Sequence, residues 1–76
     1  MIWRGNPHIE KHLIPMDGLI PNEREYQDKP TLFADIQKNG QQSPIVVDEN
    51  VIKDGNNRFK ILKVLGFTHI SARSEF

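Results

Sequence analysis

The chain has 76 residues, which is enough for one small domain and too few for two. Its 37% hydrophobic and 26% charged residues are ordinary for a globular protein and exclude the disordered and fibrous classes. Ten Lys and Arg residues balance ten Asp and Glu residues, so strong autonomous DNA binding, which depends on neutralising phosphates, is not expected. No cysteine is present, which excludes disulfides, thiolate nucleophiles and Cys-type zinc sites.

The N-terminal sequence MIWRGNPHIEKH lacks a continuous apolar stretch, so it does not read as a signal peptide, and no segment is long enough to span a bilayer. We therefore expect a cytoplasmic protein without a membrane segment. Residues 1–11 are predicted to form an irregular arm ahead of a domain at 12–76. The apolar residues Ile2, Trp3 and Ile9 of this arm either anchor a protein partner or fold back over the core. In a chain this short, a homodimer or a bound ligand would add stability.

The first predicted element is a short strand around Leu13–Met16, which Pro15 limits to an edge or terminal position. The polar loop IPNEREYQDKP follows. The segment TLFADIQKNG then predicts a helix, with Thr31 as its cap, an apolar stripe, and Gly40 as a left-handed stop. The stripe consists of Leu32, Phe33 and Ile36.

Two β-rich runs, Ile45–Val47 and Val51–Lys53, flank the polar residues Asp48-Glu49-Asn50 and predict a hairpin with a three-residue turn. The segment NNRFKILKVLGF predicts a second helix that Gly66 ends, and alternation around Ile70 predicts a last strand. The order strand, helix, hairpin, helix, strand indicates one small α+β domain. The apolar face of the second helix is formed by Phe59, Ile61, Leu62 and Leu65.

The segment Asp54-Gly55-Asn56-Asn57-Arg58 lies between a predicted strand and a predicted helix. A helix N-terminus presents unpaired N–H groups and the positive end of the helix dipole, and glycine lets an anion approach the backbone closely. Asparagine amides and an arginine guanidinium add hydrogen-bond donors suited to phosphate. The pattern predicts a phosphate cradle; the structural alternative is a simple turn in which Asp54 or Asn56 caps the helix and Arg58 meets a nearby carboxylate.

The order and spacing of LIPMDGLIPNE, LFADIQKNGQQSPIVV and VIKDGNNRFKILKVLGF resemble the ParB/sulfiredoxin superfamily from about Leu13 to Ala72. The resemblance implies a ParB-like N-terminal domain with a mixed sheet and two helices. It also implies that nucleotide phosphates bind at the Gly-x-x-Arg helix start, with ATP, ADP or CTP and Mg²⁺ as candidate ligands. The members are CTP-binding partition proteins, sulfiredoxins, free-serine kinases and ParB-like nucleases, which suggests a bacterial or phage origin.

The box at Gly55–Arg58 departs from each of these branches. Sulfiredoxins carry Gly-Cys-His-Arg, and a chain without cysteine cannot perform their chemistry. Partition proteins carry Gly-Glu-Arg-Arg and a later DNA-reading domain, so we expect no DNA-clamp role of this chain alone. The box is most similar to the Asp-Gly-His-His-Arg of the free-serine kinases, with Asn56 and Asn57 in place of both histidines. Asparagine retains hydrogen bonding and cannot titrate near neutrality, so binding is expected to be better preserved than acid–base chemistry.

Other candidate groups lie outside this box. By the same resemblance, Glu23 or Glu25 in the polar loop would act as a base, orient a substrate hydroxyl or hold Mg²⁺; the alternative is that both are solvated loop residues. Ser43 would touch a ribose or phosphate, or is a turn residue. The three histidines are not at a metal-binding spacing, and no metal site is predicted.

Two functional hypotheses follow. The first is a nucleotide- or phosphate-binding domain, either binding alone or acting as a vestigial phosphotransferase or nucleotide hydrolase. The second is a catalytically inactive interaction or regulatory module that retained the fold. A third hypothesis is a ParB-like nuclease or DNA-associated protein. The sequence offers no convincing cluster of the metal-binding acids that a nuclease would need.

Overall fold

A computed structural model describes residues 2–75. The chain forms four strands and two α-helices, with a 3₁₀ helix before the first strand and a short 3₁₀ turn before the first α-helix. In chain order they are the 3₁₀ helix Pro7–His12, β1 Leu13–Pro15, the 3₁₀ turn Glu23–Glu25, α1 Pro30–Asn39, β2 Ile45–Asp48, β3 Val51–Asp54, α2 Asn56–Val64 and β4 His69–Ser74.

The four strands form one mixed sheet in the order β1-β4-β2-β3. β1 pairs antiparallel with β4, β2 pairs antiparallel with β3, and β2 pairs parallel with β4, with Ile45 opposite Ala72. The parallel pair requires a crossover connection, which β3 and α2 supply. The predicted α+β fold with a mixed sheet and two helices is therefore confirmed.

The hairpin between β2 and β3 has a two-residue turn, and the three-residue turn predicted from the sequence is wrong. Asp48 pairs with Val51 at the end of the ladder, so Glu49 and Asn50 alone form the turn. Both turn residues have positive φ angles, 49° and 67°. This left-handed pair matches the twist of the flanking strands, and asparagine tolerates it better than most residues.

Helix α1 begins at Pro30, one residue before the predicted cap Thr31. Lys29 occupies the cap position and makes no side-chain capping bond, while Pro30 at the first helical position has a backbone already suited to the helix. Gly40 ends the helix with a φ of 75°, and its N–H donates to the Ile36 carbonyl. The predicted stop is confirmed, and the predicted cap is wrong because proline starts the helix first.

One hydrophobic core joins both helices to the sheet, since α1 contacts α2 and α2 contacts β2. Leu65, predicted on the buried face of α2, packs only partly against it. The core residues are Met16, Ile36, Ile45, Ile52, Phe59, Ile61, Leu62, Phe67 and Ile70. Among residues 2–75, no helix is long and apolar enough to cross a membrane.

The N-terminal arm is more ordered than the sequence predicted. Instead of an irregular segment, it contains the 3₁₀ helix Pro7–His12, whose N-terminus is capped by the Asn6 side chain. Gly5 pairs with Gln41 as an isolated parallel bridge, and Trp3 packs against the core. Of the two alternatives for the arm, folding back is observed for Trp3, whereas Ile2 remains 89% exposed.

Gln41 is the fully buried polar residue that fastens this arm to the sheet. Its Oε1 accepts hydrogen bonds from Trp3 Nε1 (2.9 Å) and the Ser71 N–H (2.8 Å). Its Nε2 donates to the carbonyls of Ser71 and Ser43, each at 2.9 Å. Ser71 Oγ in turn donates to the Ile9 carbonyl at 2.7 Å. The arm therefore covers the polar side of the central strand β4, which explains why Ser71 is buried as well as its neighbour Ile70.

Candidate functional site

The site starts where β3 passes into α2. β3 ends at Asp54, Gly55 takes a left-handed conformation with a φ of 96°, and α2 begins at Asn56. The first helical hydrogen bond runs from the Phe59 N–H to the Gly55 carbonyl (2.9 Å). The preceding N–H groups, those of residues 56–58, have no acceptor within the described part of the chain and stand at the positive end of the helix dipole.

Gly55 is packed so closely that no side chain fits there. A Cβ at this position would lie 2.4 Å from Cγ2 of Ile45, which is itself fully buried. The positive φ is also unfavourable for any residue with a Cβ. The predicted caps Asp54 and Asn56 are not used, since Gly55 holds the cap position without a side-chain capping bond.

A polar cavity of about 270 Å³ opens at this helix start. Three cationic side chains, Lys29, Lys53 and Arg58, line it together with two carboxylates, Glu25 and Asp54. No ion pair or hydrogen bond of the Arg58 side chain is found among residues 2–75, so the alternative in which it meets a nearby carboxylate receives no support. The remaining lining residues are Leu32, Gly55, Asn56 and Asn57.

The two asparagines of the box bind the polar loop. Asn56 is 5% exposed, and its Oδ1 accepts from the Asn22 N–H at 2.7 Å. Asn57 uses both ends of its amide: Oδ1 accepts from the Gln27 N–H (2.8 Å) and Nδ2 donates to the Glu25 carbonyl (3.2 Å). The nitrogen of the Asn56 amide therefore has no acceptor among residues 2–75, whereas the oxygen and one N–H of the Asn57 amide are already engaged.

Of the remaining predicted site residues, only Glu25 lies at the polar cavity. Glu25 lines the cavity, whereas Glu23 does not. Ser43 is exposed and lies outside the cavity lining; its carbonyl accepts from Gln41. The box at 54–58 and one acid of the loop are thus brought together, and the other acid and the serine are not.

Lys29 and Lys53 are lining residues that the sequence reasoning missed. Lys53 stands two residues before Gly55 on β3, and Lys29 caps α1 from a distant part of the chain. A lysine near a Gly-x-x-Arg turn could have been noted from spacing alone. Lys29 offered no such signal, because only the packing of α1 beside α2 brings it to the cavity.

A second cavity of about 570 Å³ adjoins the first, and Lys29 and Asn57 line both. Its other walls are largely apolar or aromatic. Burial, and after it the negative charge of Glu23, raise the pKa of Tyr26 above its ordinary value of 10.0. Lys60 Nζ lies 5.1 Å from the centroid of that ring. The remaining lining residues are Gln27, Asp28, Pro30, Phe33, Ile61 and Val64.

The described residues 2–75 contain no group of three or more His, Asp or Glu side chains placed to hold a metal ion. Glu25 and Asp54 are the two carboxylates at the polar cavity. Any divalent cation there would need further oxygen ligands from water or from a bound phosphate, which is the usual arrangement for Mg²⁺.

No family model matches the chain, and no curated protein matches it. Its structure is similar to the solved structure of a Pnob8-like ParB-N domain, with a TM-score of 0.70 and 22% sequence identity. The likeness covers 82% of this chain and 27% of that chain. The protein therefore has a ParB-N-like fold, as the resemblance of its motifs implied.

Proposed function

We propose that this chain is a nucleotide-binding ParB-like domain that holds phosphate groups at the N-terminus of α2. The observation that carries the proposal is convergence: the N–H groups of residues 56–58, Arg58 and two lysines meet at one polar cavity. Each is a donor or positive charge without a partner of its own among residues 2–75, and such donors favour anions with several oxygen atoms.

The cavity sizes support a nucleotide rather than a bare phosphate. Pockets for small organic ligands measure about 300–1,000 Å³, and the polar cavity of about 270 Å³ falls just below that range. The adjoining cavity of about 570 Å³ falls within it and carries Tyr26 and Phe33. Phosphates in the first cavity and a base against the aromatic walls of the second would use both. ATP, ADP and CTP are the candidate ligands.

Mg²⁺ bound with the phosphates would neutralise their charge, and Glu25 and Asp54 are the residues that would hold it. Because Glu25 lines the cavity, it would also be the acid to accept a proton from a substrate hydroxyl. Glu23 is not among the lining residues and would act only through its charge. The described lining of the first cavity contains no histidine, the side chain that titrates near neutrality. The proposal is therefore binding first, with any phosphotransferase activity vestigial and a cytoplasmic setting where nucleotides are available.

Isothermal titration with pyrophosphate, ADP, ATP and CTP, with and without Mg²⁺, tests the proposal. Hydrogen bonds to charged groups contribute about 1.5–3 kcal/mol, so Arg58→Ala should weaken binding by about 10–100-fold. Arg73→Ala is the matched control, because Arg73 is an exposed arginine on β4 that lines neither cavity. The proposal fails if Arg58→Ala binds as tightly as the wild type, or if no ligand binds more tightly than about 1 mM.

The interaction hypothesis has one observation in its favour. Ile2 is 89% exposed beside Trp3, at a groove that also includes Leu13 and His69. Trp3 itself is fixed by its bond to Gln41, so a partner or second copy would meet Ile2 and the edge of the tryptophan ring rather than a free arm.

A further inference from the structure

We propose that Asn56 and Asn57 are positioning residues, which hold the loop of residues 22–29 in place as a wall shared by the two cavities. The proposal rests on the proposed function, because it concerns how the nucleotide site is assembled. It gives the two amides a different role from the phosphate ligands that the sequence pattern predicted.

The loop has few bonds of its own. Within residues 22–29 the backbone forms one 3₁₀ turn, in which the Glu25 and Tyr26 N–H groups donate to the Asn22 and Glu23 carbonyls. The Asn22 side chain accepts from the Arg24 N–H at 3.1 Å. These bonds shape the turn without attaching it to the rest of the domain.

Three bonds from the first turn of α2 supply that attachment. The Asn22 N–H donates to Asn56 Oδ1, the Gln27 N–H donates to Asn57 Oδ1, and Asn57 Nδ2 donates to the Glu25 carbonyl. They span the loop from Asn22 to Gln27. The cation–π contact of Lys60 with Tyr26 adds a fourth link to the same helix.

The loop residues thus fixed are walls of the proposed ligand site. Glu25 and Lys29 line the polar cavity at the start of α2, and Tyr26 lines the adjoining cavity. Moving the part of the loop that the asparagines hold would displace a carboxylate and a ring at once, whereas Lys29 is also held by the Phe33 N–H of α1, which donates to its carbonyl. The bonds of the asparagines therefore affect ligand affinity through the loop, because the Asn57 amide already directs its oxygen and one N–H to the loop backbone.

Asparagine is suited to this role because its amide carries a donor and an acceptor side by side. At position 57 the acceptor serves the Gln27 N–H and the donor serves the Glu25 carbonyl. An aspartate would keep the first bond and lose the second, and an alanine would lose both. This gives a graded pair of variants at one position.

Two measurements on each variant test the proposal: amide hydrogen exchange at Gln27 without ligand, and the affinity for ADP. For Asn57→Ala we expect Gln27 exchange to accelerate by on the order of tenfold, with weaker ADP binding. Asn57→Asp should retain most of the Gln27 protection while still losing affinity. Asn39→Ala, which removes an exposed amide bonded to Asp35 in α1, is the matched control and should change neither quantity.

The proposal is overturned if Gln27 exchanges at the same rate in Asn57→Ala as in the wild type. It is also overturned if exchange accelerates and ADP affinity is unchanged. Failure of the proposed function looks different: the wild type itself would bind neither pyrophosphate nor ADP, whatever Gln27 exchange shows, and the ligand part of this inference would fall with it.

Discussion

Gly55→Ala is the substitution for which the structure gives the most detailed expectation. An added Cβ would lie 2.4 Å from Ile45 Cγ2 and 2.9 Å from Ile45 Cβ, and Ile45 is fully buried in the centre of the core. A left-handed conformation costs a residue with a Cβ about 1–2 kcal/mol, and overpacking a core costs about 1–3 kcal/mol. Reduced freedom of the unfolded chain returns about 0.4–1 kcal/mol. The net loss of unfolding free energy should therefore be about 1–5 kcal/mol.

Urea denaturation followed by the fluorescence of Trp3, the single tryptophan, measures this loss. Gly18→Ala is the control, because Gly18 has a similar φ of 90° and an added Cβ there meets no atom within 4 Å. It should lose only the conformational part, about 1 kcal/mol. If the two variants lose the same free energy, the contact with Ile45 contributes nothing and the reasoning about the close approach at Gly55 is refuted.

Two further predictions concern the arm and the aromatic cavity. Gln41→Ala should lower the unfolding free energy by about 1–3 kcal/mol in urea, because the Ser71 N–H and carbonyl lose the hydrogen bonds that the Gln41 side chain makes in the core. A loss below about 0.5 kcal/mol, half of one ordinary hydrogen bond, would contradict this. The single tyrosine, Tyr26, should ionise above pH 10.0 in an ultraviolet titration, and Glu23→Gln should lower its midpoint. Because folding raises the pKa of Tyr26, the contribution of its protonated form to folding stability is fully present below pH 10.0 and is lost as the pH rises through the folded pKa. An unchanged ionisation midpoint in Glu23→Gln would exclude the effect of the Glu23 charge.

Much of the fold could be predicted from the sequence because its signals are local. Gly40 and the segment at 54–58 mark the ends of elements by backbone chemistry, and the apolar residues of α2 recur at helical spacing. The misplaced cap and turn were errors of one residue at element boundaries. They arose where Pro30 and the left-handed pair at 49–50 outweighed the more general polar signals.

The arm could not be predicted in the same way, because its order depends on one residue far along the chain. Gln41 stands in the polar segment GQQS, which reads as an ordinary loop. Its burial becomes evident only when Trp3 and Ser71 are brought together across the sheet. A buried amide of this kind leaves no periodic pattern in the sequence.

The candidate site was likewise predictable only where its features are local in the sequence. Gly55 and Arg58 lie where the sequence indicated, at a helix start beside a polar cavity. The bonding of Asn57 to the loop could not be inferred from the box itself, because its partners lie 30 and 32 residues away. Where the resemblance places reactive histidines, this chain has amides that bind its own backbone, which is why binding is proposed ahead of turnover.

The measurement that tests the central claim most directly is a titration of the ¹⁵N-labelled protein with pyrophosphate, followed by backbone amide shifts. The account predicts saturable shifts centred on the N–H groups of residues 56–58, with small changes in β1, and their loss in Arg58→Ala. Shifts centred elsewhere, or no saturable shift at these three amides, would contradict the claim that the N-terminus of α2 is a phosphate site.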